Sequence, residues 1–278
     1  MIRFLTSGIH TTIQDNGRFG YRKFGVPTAG PMDLLSAIRA NSLVGNPLEA
    51  PLFEILLKGP IIRFEKEYTI AFCGNFNLSI NGKNASSKRI IQIKIGDELT
   101  IGNSKELMYG YLAIKGKLEV EKVLGSYSYY KGITKDHKIQ KGTSFEVLPV
   151  KFNQEKNAVI HQPNVNKNLF NVQKGPEFNT LNTYQQKLLF TTRYKLSENC
   201  NRMGYRFTSA KELSGKDIIT SPVQPGTIQL TSSGQLIALM KDAQTTGGYS
   251  RILHMSENER SRFAQLRPYS EFKFKLSK

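Results

Sequence analysis

The feature that most restricts the fold of this chain is a series of short segments in which apolar residues run together or alternate with polar ones. Gly, Pro and Asn separate these segments, and Asn81-Gly82 is a strong signal for a two-residue hairpin turn. In the N-terminal half, the predicted strands cover residues 2–5, 53–57, 61–64, 68–73, 76–80, 91–95, 99–101, 108–114 and 144–150. Many short strands at this spacing predict a mostly β protein, built as a barrel or a sandwich.

One segment of the N-terminal half has helical periodicity instead. Apolar residues from Leu34 onward share one face, Pro31 can begin a helix and Gly45 can end it. Asp33 lies in the expected first turn, near the positive end of the helix dipole. The sequence therefore predicts a helix over residues 31–44.

A polar, Asn-rich stretch at residues 151–168 divides the chain and is interpreted as a linker. Beyond it, the predicted strands cover residues 169–172, 190–196, 227–230, 235–240, 251–255 and 272–276, and short helices lie near 182–189 and 258–265. The last strand is expected at a sheet edge. The chain is thus predicted to form an N-terminal β lobe, residues 1–155, and a C-terminal β lobe, residues 165–278.

The formal net charge of the 278 residues is +17, and it is spread over the whole chain. Lys and Arg form no block of five or six like charges. No finger, RNA-recognition or helix-turn-helix motif is present, so a nucleic-acid partner is not expected. Net positive charge favours acidic partners and anionic substrates through its long-range field.

The cysteines and histidines indicate neither a disulfide nor a metal site. Cys73 and Cys200 are far apart in sequence, and two reduced thiols in a cytoplasmic protein are the favoured interpretation. The four histidines show no paired ligand spacing, so no zinc site is predicted. The N-terminal residues contain no apolar segment of signal length and no stretch is long enough to span a membrane, so a cytoplasmic location is expected.

The first candidate site is a long loop predicted between the first strand and the helix, up to residue 30. Gly and Pro are too frequent there for regular structure, yet hydroxyl and charged groups alternate with them. A long loop in a compact chain is usually functional or disordered, and the aromatic residues at 19, 21 and 24 favour order. The polar candidates in this loop are Gln14, Asp15 and Arg18.

The second candidate site follows an apolar, strand-like run at residues 236–240. Gly247 and Gly248 can turn successive backbone N–H groups toward one point, which forms an anion-binding concavity. Other polar groups crowd the same segment: Asp242, Gln244, Thr245 and Thr246. The same residues can instead form a tight turn between two strands.

Nine motifs, in order along almost the whole chain, carry a family resemblance. They are TTIQDNGRFGY at 11–21, GVPTAGPMD at 25–33, NSLVGNP at 41–47, FEILLKGP at 53–60, YLAI at 111–114, VLGS at 123–126, NRMGYR at 201–206, GTIQ at 226–229 and DAQTTGGY at 242–249. The chain resembles the biotin-dependent carboxyltransferase-like family, which includes the C subunit of 5-oxoprolinase, allophanate hydrolase subunit 2 and Kip-type antagonist proteins. It departs from the family at Tyr127, where relatives commonly have Arg.

The resemblance implies a fold, partners and a reaction. The fold it implies is mostly β, with two cyclophilin-like barrel lobes, few short helices and a cleft between the lobes. It further implies a complex with the B subunit of the same family and a third, lactam-opening subunit. Such a complex hydrolyses 5-oxo-proline to glutamate with ATP.

The chemistry of lactam opening suggests tasks for the motif residues. An unstrained lactam must be activated, for instance by phosphorylation of its amide oxygen, and a second site must hold the anion that forms. The N–H groups of Gly247 and Gly248 are candidate donors to that anion. Arg18, Arg202 and Arg206 are candidate partners for its carboxylate or phosphate, and for each the alternative is a structural ion pair.

Two acidic and two aromatic residues complete the candidate set. Asp15 and Asp242 are candidate proton acceptors, or they hold the arginines in place. Tyr205 and Tyr249 can stack on a ring substrate or donate a hydrogen bond to it, and the alternative is a core tyrosine. We predict that the Asp15/Arg18 loop and the paired-glycine turn converge on one cavity suited to an anion.

The cofactor expected from the resemblance is ATP. The chain has no Gly-x-x-x-x-Gly-Lys-Ser/Thr loop, so ATP is expected to be shared with, or held by, a partner subunit. Biotin is not expected, because the chain has no Met-Lys biotin-attachment segment. Two other functions stay open, a non-catalytic Kip-type partner of a kinase-inhibitor protein and the carboxyltransferase module of a urea carboxylase-like system.

Overall fold

The computed structural model describes residues 1–85, 90–150, 168–209 and 213–277, and within them the chain forms two compact units. The first unit contains Met1–Arg18 and the described residues from Ala29 to 150. The second unit contains Phe19–Thr28 and the described residues from 168 onward. The predicted linker lies outside the described residues except for Asn168, and so do the predicted lobe boundaries at 155 and 165.

The first unit consists of thirteen strands and one α-helix among its described residues. They are β1 Ile2–Phe4, β2 His10–Gln14, β3 Leu52–Leu56, β4 Ile61–Phe64, β5 Tyr68–Cys73, β6 Phe76–Ile80, β7 Lys83–Ala85, β8 Ile91–Ile93, β9 Glu98–Ser104, β10 Tyr109–Ile114, β11 Lys117–Leu118, β12 Ser144–Phe145, β13 Val147–Leu148 and α1 Leu34–Val44. One sheet has the order β12-β1-β4-β9-β6-β7, a second has the order β2-β3-β10-β5-β8, and β11 pairs with β13.

The two large sheets of the first unit share one core. Alternation in β1 and β4 points every second side chain inward, and all of the inward residues are buried. Phe4 and Phe145 from one sheet meet Phe53 from the other, with ring centroids 5.1 to 5.9 Å apart. Strand β10 is buried along its whole length, because α1 packs against this sheet at β10 and β5.

The helix begins later than the sequence predicts. Asp33 is the N-cap rather than a first-turn residue: its carboxylate accepts hydrogen bonds from the backbone N–H of Ser36 at 3.1 Å and from the Ser36 hydroxyl at 2.6 Å. Pro31 therefore precedes the helix. The predicted end is confirmed, since Gly45 adopts φ 73° at the C-cap.

A buried carboxylate fixes the residues that lead into this helix. Glu54 on β3 accepts hydrogen bonds from the Met32 N–H at 2.7 Å and from the Tyr111 hydroxyl at 2.9 Å. The same hydroxyl accepts from the Asp33 N–H at 2.7 Å. Burial, followed by the charge of Glu54, raises the pKa of Tyr111 well above its usual range, so the hydroxyl stays protonated as a donor.

Part of the predicted N-terminal loop is a strand. Residues His10–Gln14 form β2, which pairs with β3 in antiparallel register from His10↔Leu56 to Gln14↔Leu52. The consecutive β-branched residues Thr11, Thr12 and Ile13 explain this conformation. The predicted hairpin at Asn81-Gly82 is confirmed, because both residues adopt positive φ between β6 and β7.

The second unit consists of eight strands and two α-helices among its described residues. They are β14 Leu169–Lys174, β15 Tyr194–Cys200, β16 Gly204–Ser209, β17 Asp217–Pro222, β18 Thr227–Leu230, β19 Leu236–Leu239, β20 Thr246–His254, β21 Glu271–Leu276, α2 Thr183–Thr191 and α3 Glu257–Ala264. Short 3₁₀ turns cover Arg22–Phe24 and Phe178–Thr180.

The strands of the second unit form a closed circuit of pairings. The order is β14-β21-β15-β16-β19-β18-β20, and β20 pairs again with β14, while β17 extends from β20. The last strand was predicted to lie at a sheet edge, and this prediction is wrong. Strand β21 pairs in parallel with β14 and antiparallel with β15. Its inward residues Phe272 and Phe274 are buried.

The described residues are mostly β with three α-helices, which confirms the predicted fold class. The barrel geometry of that prediction differs between the two units. The second unit has the closed circuit of pairings, whereas the described strands of the first unit form separate sheets. No helix in the described part of the chain is long and apolar enough to cross a membrane.

We expect Phe207→Ala to lower the free energy of unfolding by about 3–5 kcal/mol, because it opens a cavity in the core of the second unit. Phe207 is fully buried and contacts the rings of Tyr194, Phe263 and Phe272. Chemical denaturation measures the change. Tyr184→Ala on α2, where the ring is 67% exposed, is the control and should shift stability by less than about 0.5 kcal/mol. A loss below about 1 kcal/mol at Phe207 would contradict this packing.

Candidate functional site

Asp15, a predicted catalytic residue, is a buried acceptor for several hydrogen bonds within the first unit. Its carboxylate accepts from the backbone N–H of Gly17 at 3.0 Å and of Tyr127 at 2.8 Å. It also accepts from the hydroxyl of Ser128 at 2.7 Å and from that of Ser126. The side chain therefore holds residues 126–128 against the end of β2.

Arg18, the other predicted catalytic residue of this loop, is fully buried beside Asp15's partners. Its Nε donates to the carbonyl oxygen of Val123 at 3.2 Å, and its Nη2 donates to the carbonyl oxygen of Ser128. Asp15 and Arg18 thus bind the same short segment of chain from two directions. These contacts give both residues a structural task, and their catalytic role stays a prediction.

Gln14 is also buried and hydrogen-bonded within the first unit. Its amide nitrogen donates to the Thr12 hydroxyl at 3.0 Å, and its amide oxygen accepts from the Gly30 N–H at 3.1 Å. A cavity of about 180 Å³ lies beside Gln14 and Asp15 and continues along α1 to Asn41.

Asp242 and Arg202 form a nearly buried, two-pronged ion pair in the second unit. Arg202 Nε lies 2.7 Å from Asp242 Oδ2, and Nη2 lies 2.8 Å from Oδ1. The side chains are 12% and 10% exposed. This geometry agrees with the prediction that an aspartate holds one of the arginines in place. A catalytic role for Asp242 stays a prediction.

Lys241, next to this pair, is a buried cation that the sequence did not single out. Its Nζ lies 3.3 Å from Glu257, which also pairs with Arg260. Burial, followed by the charge of Arg260, lowers the pKa of Lys241 to about 8. The lysine is only 5% exposed.

The paired glycines lie in a strand and not in a turn. Strand β20 begins at Thr246, and Gly247 pairs with Ser221 of β17. Neither Gly247 nor Gly248 has positive φ, so their N–H groups do not form the predicted concavity. The absence of a side chain at Gly247 instead leaves room for Gln229, whose amide nitrogen would lie 2.6 Å from an added Cβ.

Tyr205 is a core residue of the second unit. Its side chain is fully buried, and its hydroxyl donates to the carbonyl oxygen of Ala264 at 2.9 Å. Tyr205 therefore lies where the alternative interpretation, a core tyrosine, expects it. Tyr249 is 40% exposed, and its side chain lines a cavity.

A cluster of cationic side chains also lines a cavity within the second unit. The cavity has a volume of about 690 Å³. Its charged lining residues are Arg22, Lys23, Lys174 and Arg251, its hydroxyl groups come from Thr227, Thr245 and Thr246, and its other polar side chains are Gln173, Gln224 and His254. None of the described lining residues is acidic. We name this space the cationic cavity.

The chain positions these cations from three separate segments. Arg22 and Lys23 lie on the 3₁₀ turn of the N-terminal loop, and the Arg22 Nη2 donates to the carbonyl oxygen of Val223. Lys174 ends β14, and Arg251 lies on β20, where β14 and β20 pair. The cavity therefore depends on the closed circuit of strands and on the loop segment Phe19–Thr28.

The electrostatics of the cationic cavity differ among its side chains. Arg251 is compensated by Glu177, with Nη2 at 2.6 Å from Oε1 and Nε at 2.8 Å from Oε2. This pairing raises the pKa of Arg251 and lowers that of Glu177. Burial lowers the pKa of Arg22, and its Nη1 is buried without a hydrogen-bond partner among the described residues. Arg22 therefore has a free donor.

A second cavity of about 500 Å³ lies on the sheet face formed by β16, β18, β19 and β20. Three predicted residues line it: Arg206, Gln244 and Tyr249. Arg206 donates from Nη1 to the side-chain oxygen of Gln235 at 2.9 Å. Asn199, Asn201 and Gln229 add further amide groups.

The predicted site residues lie in different cavities and in different units of the structure. Thr245 and Thr246 line the cationic cavity, and the residues of the N-terminal loop that join them are Arg22 and Lys23. Asp15 and Arg18 belong to the first unit, and their convergence with the paired glycines stays a prediction. Sequence reasoning did not identify Arg22, Lys23, Lys174, Arg251 and His254, although the aromatic residues around Arg22 did indicate an ordered loop.

Comparison with known proteins extends these observations to the whole chain. Residues 24–276 match the family described as "Carboxyltransferase domain, subdomain A and B". The chain is 30% identical over 280 residues to the C subunit of 5-oxoprolinase from Escherichia coli K12, covering 96% of this chain and 88% of the relative. It is 40% identical over 131 residues to urea amidolyase of Saccharomyces cerevisiae, covering 46% of this chain and 7% of that protein.

Solved structures share the fold. The protein named TTHA0988 superposes with a TM-score of 0.88 and 25% identity, over 99% of this chain and 55% of that one. The K. lactis urea amidolyase gives a TM-score of 0.84 and 25% identity, over 98% of this chain and 18% of that one. This chain therefore spans about half of the first structure and less than one fifth of the second.

We expect Asp15→Asn to lower the free energy of unfolding by about 1–3 kcal/mol, because one carboxylate oxygen that accepts several hydrogen bonds becomes an amide donor. Thermal or chemical denaturation of the purified chain measures the change. Asp136→Asn, at an exposed loop position of the same unit, is the matched control. If Asp15→Asn leaves the stability unchanged, the result would contradict a structural role for Asp15 and favour its predicted catalytic role.

Proposed function

The chain belongs to the family of carboxyltransferase domains with subdomains A and B, and from this premise we propose that it is the C subunit of an ATP-dependent 5-oxoprolinase. The observation that carries the proposal is similarity along nearly the whole chain to two proteins of that name. The second, from Haemophilus influenzae, is 30% identical over 281 residues, covering 99% of this chain and 90% of the relative. In this proposal the chain acts as part of a hydrolase, together with the B subunit and a lactam-opening subunit.

The cationic cavity supports an anionic substrate. 5-Oxo-proline carries a carboxylate, and the cavity offers cations from three segments with no acidic residue among its described lining residues. Arg22 lines the cavity and brings a guanidinium charge to it, which favours a carboxylate ligand. Glu177 holds Arg251 in place and compensates its charge. The other cations of the lining are Arg22, Lys23 and Lys174.

The same lining does not suit a complete ATP–magnesium site. Magnesium in nucleotide sites is bound through one or two carboxylates together with phosphate oxygens. In the part of the chain that the structure describes, no Asp or Glu lines the cationic cavity. We therefore assign this cavity to the substrate carboxylate and assign ATP to a partner subunit.

The residues of this chain would then bind and orient the substrate. Arg22 and Lys23 contribute from the loop, Lys174 contributes from β14, and Thr245 and Thr246 add hydroxyl groups at the start of β20. Fixed positive charge at one end of the substrate positions its lactam relative to the activating subunit.

A second candidate function is carboxyl transfer in a urea carboxylase-like system. The observation that favours it is local: identity to the urea amidolyase of Lachancea kluyveri reaches 43% over 125 residues, which cover 44% of this chain and 7% of that protein. Urea is uncharged, so the cationic cavity does not explain its recognition. We place this function second for that reason.

Co-expression of the chain with the B subunit and the lactam-opening subunit tests the proposal. We expect ATP-dependent release of glutamate from 5-oxo-proline. Arg22→Gln should raise the KM about tenfold to one hundredfold, because a charge-assisted hydrogen bond contributes about 1.5–3 kcal/mol. Arg193→Gln is the matched control, since this exposed arginine of the same unit pairs with Glu271 outside the cavity.

The outcomes separate the alternatives. Glutamate release that is equal for wild type and Arg22→Gln would remove the cavity from the proposal while the family-based assignment stands. A stable complex that releases no glutamate would favour the Kip-type regulatory function. Carboxylation of urea by the chain together with a biotin carboxylase would favour the second candidate.

A further inference from the structure

His254 is a side chain of the cationic cavity to which the proposed function gives no task. It is the last residue of β20, and its backbone is held between Gln173 of β14 and Thr227 of β18. Its ring passes close to Gly226, where an added Cβ would lie 3.0 Å from Cε1. No described residue makes a hydrogen bond to the ring, so its nitrogens can contact a ligand in the cavity.

Among the described residues, five cations and two carboxylates lie around His254. They are Lys174 on β14, Arg251 on β20 with its partner Glu177, Arg22 and Lys23 of the loop, and Arg260 of α3 with its partner Glu257. Burial, followed by the charge of Arg260, lowers the pKa of His254 from its ordinary value. The imidazole is therefore neutral at pH 7 while the cavity holds no anion.

A negative ligand changes this balance at the ring. An anion within a few ångströms favours the imidazolium form, and it also offsets the cations that disfavour that form. We propose that His254 contacts the anionic ligand of the cationic cavity and takes up a proton from solvent as the ligand binds. The ligand class is a small carboxylate or another oxyanion. Its identity as 5-oxo-proline rests on the proposed function, whereas the proton-coupled anion site does not.

The sign of the pH dependence follows from linkage. The pKa of His254 is higher with the anion bound than without it, so affinity rises as pH falls through the pKa of the bound state. It becomes constant again below the pKa of the free state. Each unit of difference between the two pKa values corresponds to about a tenfold change in affinity across this window.

Isothermal titration calorimetry of the full chain tests the proposal with two probes, sulfate and 5-oxo-proline, which do not titrate between pH 5.5 and 8. Titration near pH 6 in two buffers of different ionisation enthalpy measures proton uptake. We expect uptake of a fraction of one proton for wild type and none for His254→Gln, with an affinity that no longer depends on pH. His137→Gln, an exposed histidine of the first unit, is the control and should retain wild-type uptake.

A second measurement keeps the test decisive if His254→Gln folds poorly. An NMR titration of the wild-type His254 ring should give a pKa below its ordinary value in the free chain and a higher pKa with saturating sulfate. Binding of both probes without proton uptake, uptake that persists in His254→Gln, or no binding of either probe would overturn the proposal. Proton-coupled sulfate binding without 5-oxo-proline binding would leave it standing and contradict the proposed substrate instead.

Discussion

Strand β14 is the element on which the second unit depends, because it pairs with β21 on one side and with β20 on the other. These two pairings close the circuit of strands and bury an aromatic core that includes Phe170, Phe263 and Phe272. The same pairing of β14 with β20 brings Lys174 next to Arg251 at one end of the sheet. The closure that stabilises the core therefore also concentrates positive charge at the cationic cavity.

Much of the fold could be predicted from local sequence. Alternation and turn residues identified most strands of the first unit, and the Asn81-Gly82 turn and the end of α1 at Gly45 follow from local backbone preferences. Pairing between distant strands could not be predicted in this way. The Lys-rich sequence of β21 is typical of an edge strand, yet β14 and β15 flank it, and only the three-dimensional pairing reveals this.

The candidate site was predicted less completely, for a related reason. Asp15, Arg18, Asp242 and Arg202 have the residue types that catalytic sites use, but buried hydrogen-bond networks use the same types. The sequence gives the type of each residue but not the residue with which it forms a hydrogen bond or an ion pair. Glycine pairs are similarly ambiguous, since Gly247 makes room for the side chain of Gln229 within a strand. The cavity cations come from three separated segments, so no local motif could reveal them.

The loop segment Phe19–Thr28 belongs to the second unit although the chain on both sides of it belongs to the first. Arg22 and its acceptor Val223 are 201 residues apart, and a ribosome needs about 10–40 s to add that many. The hydrogen bond of Arg22 to Val223 cannot form until residue 223 has been synthesised. A gene fragment that starts at residue 168 would encode every described strand of the second unit but not Arg22 or Lys23.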